Sequence, residues 1–119
     1  MTVLSISTIL GLVGDLKDND SAQIRFREYL EKEVKDIGLL RDFINECLAN
    51  TGDQYNFAFQ DLIIYLGKFL GFEYDYGRYR GATDTPGQDG IWFTQDGFGV
   101  VVEVKKTEVY AIRMTCPHS

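Results

Sequence analysis

From Gln54 to Leu70 the chain distributes Phe57, Phe59, Leu62, Ile63, Ile64, Leu66, Phe69 and Leu70 around all sides of one helical run. A helix that is apolar nearly all round is buried on most of its surface. The sequence must therefore build a core around this segment. With 119 residues, 45% hydrophobic and 13% aromatic, a single domain can do so, and the composition argues against disorder.

The chain before this helix reads helical as well. Ile6, Ile9, Leu10, Val13 and Leu16 recur at helical spacing until Asp18-Asn19-Asp20 breaks the run. Asp20 or Ser21 can cap a second helix with the stripe Phe26, Tyr29, Leu30, Val34 and Ile37, and Gly38 is expected to end it. Leu40, Phe43, Ile44, Cys47 and Leu48 line a third, which stops at Asn50-Thr51-Gly52. These stripes are packing faces, and the charges between them (Arg25, Glu28, Glu31, Lys32, Glu33, Lys35) form a solvated side. Two regions follow: a helical one over 1–52 and a core over 53–119.

After the apolar helix the period changes from helical to alternating. Gly71 ends the helix, and Phe72 to Tyr76 alternates as a strand does. Arg78 to Gln88 is polar and turn-rich, and then come Ile91–Phe93 and Phe98–Lys105 around Gln95-Asp96-Gly97. A two-residue turn at Asp96-Gly97 would pair 95 with 98 and turn Asp89 away from Glu103. A three-residue loop with Gly97 left-handed pairs Thr94 with Phe98, and the register then runs 93 with 99, 91 with 101 and 89 with 103. The three-residue loop is predicted. Asp89 and Glu103 then become cross-strand neighbours, roughly 4.5–5.5 Å apart at Cβ. Carboxylates that close repel unless a cation lies between them. Lys105 follows Glu103 on the same strand face. The charges interrupt the valine run 100–104, which suggests a strand covered on both faces. Taken singly, Glu-x-Lys on a strand and an aspartate at a strand start are also ordinary surface and turn residues.

The order of these elements resembles the PD-(D/E)xK nuclease superfamily, the restriction-endonuclease-like fold, nearest to its Holliday-junction-resolvase and methylated-DNA-restriction branches. The matching stretch begins with Phe59-Gln60-Asp61-Leu62 and ends with Gly71-Phe72, and Asp89 and Glu103-Val104-Lys105 follow. The resemblance covers about 57 to 112. It implies an α+β fold (an α/β core): N-terminal helices, then a restriction-endonuclease-like core with a helix and a three-stranded β-meander. Gln60 stands where relatives carry a glutamate, with Asp61 as a neighbouring substitute, and Pro86 lies three residues before Asp89. The crossover helix and parallel strand that normally follow Lys105 are missing, and Ile112 to Ser119 reads as a tail. On that count the chain is expected to be a fragment, a truncated product or a protomer completed by a partner.

The resemblance implies the following roles. Asp89 and Glu103, helped by the Val104 carbonyl, ligate Mg²⁺ or Mn²⁺. Lys105 orients or deprotonates the attacking water, and Gln60 assists at the metal. Lys68, Arg78, Arg80 and Lys106 are the residues that would contact DNA phosphates, although for each of them a solvated surface cation is the first reading. Tyr74, Tyr76 and Tyr79 with Arg78 and Arg80 form an aromatic–basic stretch that could follow a DNA strand. Trp92 and Phe93 read as core aromatics, and His118 as part of the tail. The expected function is Mg²⁺-dependent DNA endonuclease or nuclease subunit, in restriction or phage defence, working as a homodimer or within a larger assembly. RNA is the other substrate this site could take.

The composition bears on that expectation. Net charge is −6, with six basic and nine acidic residues in each half, which opposes general attraction to nucleic acid. Contact with DNA must use a local basic patch or a metal that masks the carboxylates. The apolar first fourteen residues have no basic flank and are too short to span a bilayer, so neither signal peptide nor membrane segment is read. Cys47 and Cys116 lack metal spacing and read as free thiols in a reducing cytoplasm. A non-catalytic interaction module, with acidic charge and apolar helical faces suited to a protein partner, is the rival reading.

Overall fold

The computed structural model describes residues 4–77, 79, 90–104 and 112–115; at 103, 104 and 112–115 only the backbone is described. The described elements are four helices followed by four strands: α1 (Ile6–Val13), α2 (Ser21–Glu33), α3 (Ile37–Ala49), α4 (Asp53–Phe69), β1 (Glu73–Tyr76), β2 (Gly90–Phe93), β3 (Gly99–Val104) and β4 (Ile112–Thr115). The fold is α+β. Its strands pair in the order β1-β2-β3-β4, each antiparallel to the next.

As its composition requires, α4 is the central element, with nine of its residues buried between α3 and α2 on one side and the sheet on the other. A Schellman arrangement ends it: the Phe72 N–H reaches the Gly67 carbonyl at 2.9 Å and the Gly71 N–H reaches that of Lys68 at 3.2 Å. Gly71 takes φ 93°, a left-handed conformation open to glycine at little cost. The chain thereby reverses directly into β1. Closeness of helix and sheet depends on two further glycines. A Cβ on Gly67 would lie 2.5 Å from Trp92 Nε1, and one on Gly90 would lie 2.5 Å from Ile64 Cδ1. Trp92 fills the space between, 2% exposed, stacked on Phe72 at 5.8 Å and donating its indole N–H to the Ile64 carbonyl at 2.9 Å.

The helical region shares this core. Ile6, Ile9, Phe26, Leu30, Leu40 and Phe43 belong to the same buried cluster as Ile64 and Trp92. Polar side chains fasten the joints between helices. Glu46 on α3 accepts the N–H groups of Ile6 (2.8 Å) and Ser7 (3.1 Å), which places a carboxylate at the α1 N-terminus where the helix leaves donors unpaired. Replacing Glu46 with alanine is expected to lower unfolding free energy by about 1–2 kcal/mol, the range for losing an N-terminal cap; urea denaturation measures it. The Gln54 amide accepts the Leu16 N–H and donates to the Leu16 carbonyl, pinning the α1–α2 connection to α4. Tyr65 donates to the Val34 carbonyl at 2.7 Å, where α2 has ended.

Four expectations are corrected. The second helix ends at Glu33, so Ile37 and Gly38 open the third instead of closing the second. The cause is Asp36, whose carboxylate caps the Leu39 N–H at 3.1 Å and starts a new helix. Leu48, expected on a packing face, is exposed. Residues 112–115 are a strand instead of a tail, which makes the meander four-stranded. This strand runs antiparallel to β3, with Glu103 opposite Arg113 and Val104 opposite Ile112, where the resemblance calls for a crossover and a parallel strand. Finally, where the charges in β3 suggested cover on both faces, among the described residues α4 covers one face of the sheet. Trp92, Val100 and Val102 lie buried on that side, while Ile91, Phe93 and Val101 on the other are only half-buried.

Candidate functional site

The hairpin adopts the predicted turn. The Thr94 N–H donates to the Phe98 carbonyl at 2.8 Å, the Gly97 N–H to the Thr94 carbonyl at 3.1 Å, and Gly97 takes φ 97°. The register runs Phe93 with Gly99, Trp92 with Val100, Ile91 with Val101 and Gly90 with Val102. Its physical cause is the left-handed glycine, which adds one residue to the loop and fixes which residues face each other. The described ladder ends at the Gly90–Val102 pair, one step short of the expected pairing of 89 with 103. Asp89 itself lies outside the described residues, as do Lys105, Arg78, Arg80, Lys106, Cys116 and His118. Glu103 and Val104 are the last two residues of β3.

Gln60 is 7% exposed on α4. Asp61, the proposed substitute for the missing glutamate, has a different occupation. It is fully buried, and both its oxygens are taken. Arg27 Nε donates to Oδ2 and Arg27 Nη2 to Oδ1, each at 3.1 Å, and the Tyr79 hydroxyl donates to Oδ2 at 2.6 Å. Burial pushes the Asp61 carboxyl up to about 6, against the opposing pull of Arg27 and Tyr79. A carboxylate held this way is a structural partner, not a free metal ligand.

The tyrosines expected along a DNA path are likewise engaged with other side chains of the protein. Tyr76 and Tyr79 both lie against the Arg27 guanidinium, whose carbon is 4.5 and 5.3 Å from their ring centres. Tyr79 also stacks on Phe57 at 4.5 Å, and Tyr74 donates to Glu31 at 2.9 Å. Burial raises all three phenols above their ordinary range. Trp92 is a core aromatic, as read. Lys68 is exposed at the C-terminal end of α4, beside an open cleft of about 560 Å³ that Glu73 and Asp96 also line.

The Arg27–Asp61–Tyr79 network was not foreseen. Its signal was Asp61 itself, a carboxylate in the middle of an otherwise apolar helix, which burial forces to find a cationic partner. Among the described residues no three His, Cys, Asp or Glu side chains form a group able to hold a metal ion, and no helix is long and apolar enough to cross a membrane. No protein-family model, no curated protein and no solved structure matches this chain.

Proposed function

We propose that this protein is a Mg²⁺-dependent DNA endonuclease, or the nuclease subunit of a larger assembly, of the PD-(D/E)xK kind. One observation supports the reading: the β2–β3 register, which pairs Gly90 with Val102 as the three-residue loop requires; that Asp89 faces Glu103 is part of the proposal. The donors are suited to the ion. Two carboxylates and the Val104 carbonyl are hard oxygen ligands of the type Mg²⁺ and Mn²⁺ prefer. Bound there, the ion would supply Lewis acidity at the scissile phosphate. In this reading Asp89 and Glu103 hold it, and Lys105 either orients the attacking water or takes its proton at Nζ, and in its protonated form offsets phosphate charge. Gln60 supports the site by hydrogen bonding. Lys68, Arg78, Arg80 and Lys106 steady the DNA backbone. A cytoplasmic location, homodimerisation and a role in restriction or phage defence belong to the same proposal.

The test is cleavage of plasmid DNA with Mg²⁺ or Mn²⁺ by the wild type, Asp89→Asn and Lys105→Ala. Loss of at least about 100-fold in each variant is expected, in the range of a positioned acid or base. Equal activity in all three proteins, or none in the wild type, would remove catalysis by this constellation.

A second reading has its own support. The antiparallel β4 takes the edge of β3 where the nuclease-like fold continues through a crossover. A non-catalytic interaction module would have that architecture, and an inactive wild type would favour it.

A further inference from the structure

A cleft of about 560 Å³ opens where the end of α4 and the start of β1 meet the β2–β3 loop. The left-handed turn at Gly71 brings Phe72 and Glu73 to one wall, and the chain from Phe93 to Asp96 forms the other. The register sets Glu73 opposite Phe93, so carboxylate and ring are cross-strand neighbours on the sheet face turned away from α4. Phe72 and Phe93 are only half-buried. Phe93 is three residues along β2 from Gly90, roughly 10 Å, so the cleft and the candidate metal site occupy opposite ends of the sheet.

The charges in the cleft are unequal. Glu73 and Asp96 are both exposed carboxylates. The Thr94 hydroxyl donates to Asp96 and holds its carboxyl below the ordinary range, so this charge is present wherever ordinary carboxylates are ionised. Lys68 is the cation among the described lining residues, and it is drawn back along α4. Its Nζ donates to the Tyr65 hydroxyl at 3.5 Å and lies 5.5 Å from the centre of that ring. Two acids thus outweigh one amine beside accessible aromatic surface, in a volume ordinary for a small-ligand site.

We propose that this cleft takes a guanidinium, carried by an arginine of a basic peptide, with its plane against Phe93 and its N–H groups toward Glu73 and Asp96. A guanidinium suits the cleft better than an ammonium. It is planar, weakly hydrated, stacks on aromatic rings and donates in its plane at the same time. The inference does not rest on the nuclease reading, and its test involves no cleavage.

The experiment is an NMR titration of the isotope-labelled protein with N-acetyl-arginine amide. Saturable shifts are expected at the amides of Glu73, Phe93, Gln95 and Asp96. N-acetyl-citrulline amide, of similar shape without the charge, should leave them in place. Glu73→Gln should weaken binding about two- to fivefold at low salt, the contribution of one exposed ion pair. Lys68→Gln should tighten it by a similar factor, because it removes the like charge and keeps both acids. Glu73 and Lys68 are exposed, so both variants should keep the wild-type spectrum elsewhere. Shifts centred on Asp15, Asp18 and Asp53, equal shifts with the citrulline amide, or no saturable shift would each overturn the proposal. So would a Lys68→Gln variant that binds no more tightly than the wild type.

Discussion

Replacing Trp92 with alanine should lower the unfolding free energy by about 3–5 kcal/mol, the range for deleting a large buried aromatic. Trp92 is 2% exposed, stacks on Phe72, and gives its N–H to the Ile64 carbonyl, so the substitution empties the helix–sheet interface. The effect of Gly67→Ala should then depend on Trp92. In the wild type the new methyl meets the indole, 2.5 Å from its nitrogen. Overpacking of that kind costs about 1–3 kcal/mol and outweighs the gain of about 1 kcal/mol from replacing a helical glycine. With Trp92 already truncated the clash is gone, and Gly67→Ala should stabilise instead. A double-mutant cycle by urea denaturation checks the change of sign. Loss of stability from Gly67→Ala in both backgrounds would mean that the indole is not what demands glycine.

Arg27→Met should be comparably damaging at alkaline pH and progressively less so in acid. Removing one partner of a buried ion pair leaves an uncompensated charge and costs about 3–5 kcal/mol. Asp61 is fully buried, so little water can take Arg27's place. The sign follows from linkage. The Asp61 carboxyl lies at about 6 in the folded wild type, above its ordinary 3.8, so this group's contribution to stability is greatest at low pH and is lost as pH rises through about 6. Without Arg27 the carboxyl moves higher still, and the variant recovers more than the wild type on acidification. Denaturation midpoints at pH 8 and pH 5 should show the gap between the two proteins narrowing. A constant gap would indicate that Arg27 acts by packing its stem and not by its charge.

Local signals were legible where a residue type leaves the backbone little choice. Gly97 in a three-residue loop fixed the β2–β3 register, and Gly71 fixed the end of α4. The apolar surface of α4 announced a central helix. Signals that depend on distant partners were not legible. Asp36 and Gly38 both offer punctuation, and only the capping bond from Leu39 decides that a helix begins there. Ile112 to Thr115 is too short to declare itself a strand until β3 lies beside it. Tyr76 and Tyr79 read as a nucleic-acid surface because Arg27, about fifty residues earlier, cannot be placed against them from sequence. Of the candidate site, the hairpin geometry was readable because it is local, and Gln60 was placed correctly on the buried helix.

The central proposal is that Asp89 and Glu103 hold a divalent cation between them. Paramagnetic line broadening by substoichiometric Mn²⁺ tests it without requiring activity. The amide signals of Gly90, Val102, Glu103 and Val104 should broaden first, and the effect should disappear in Asp89→Asn/Glu103→Gln while the rest of the spectrum is preserved. Broadening centred on Asp15, Asp18 and Asp53 instead, or unchanged in the double variant, would contradict it.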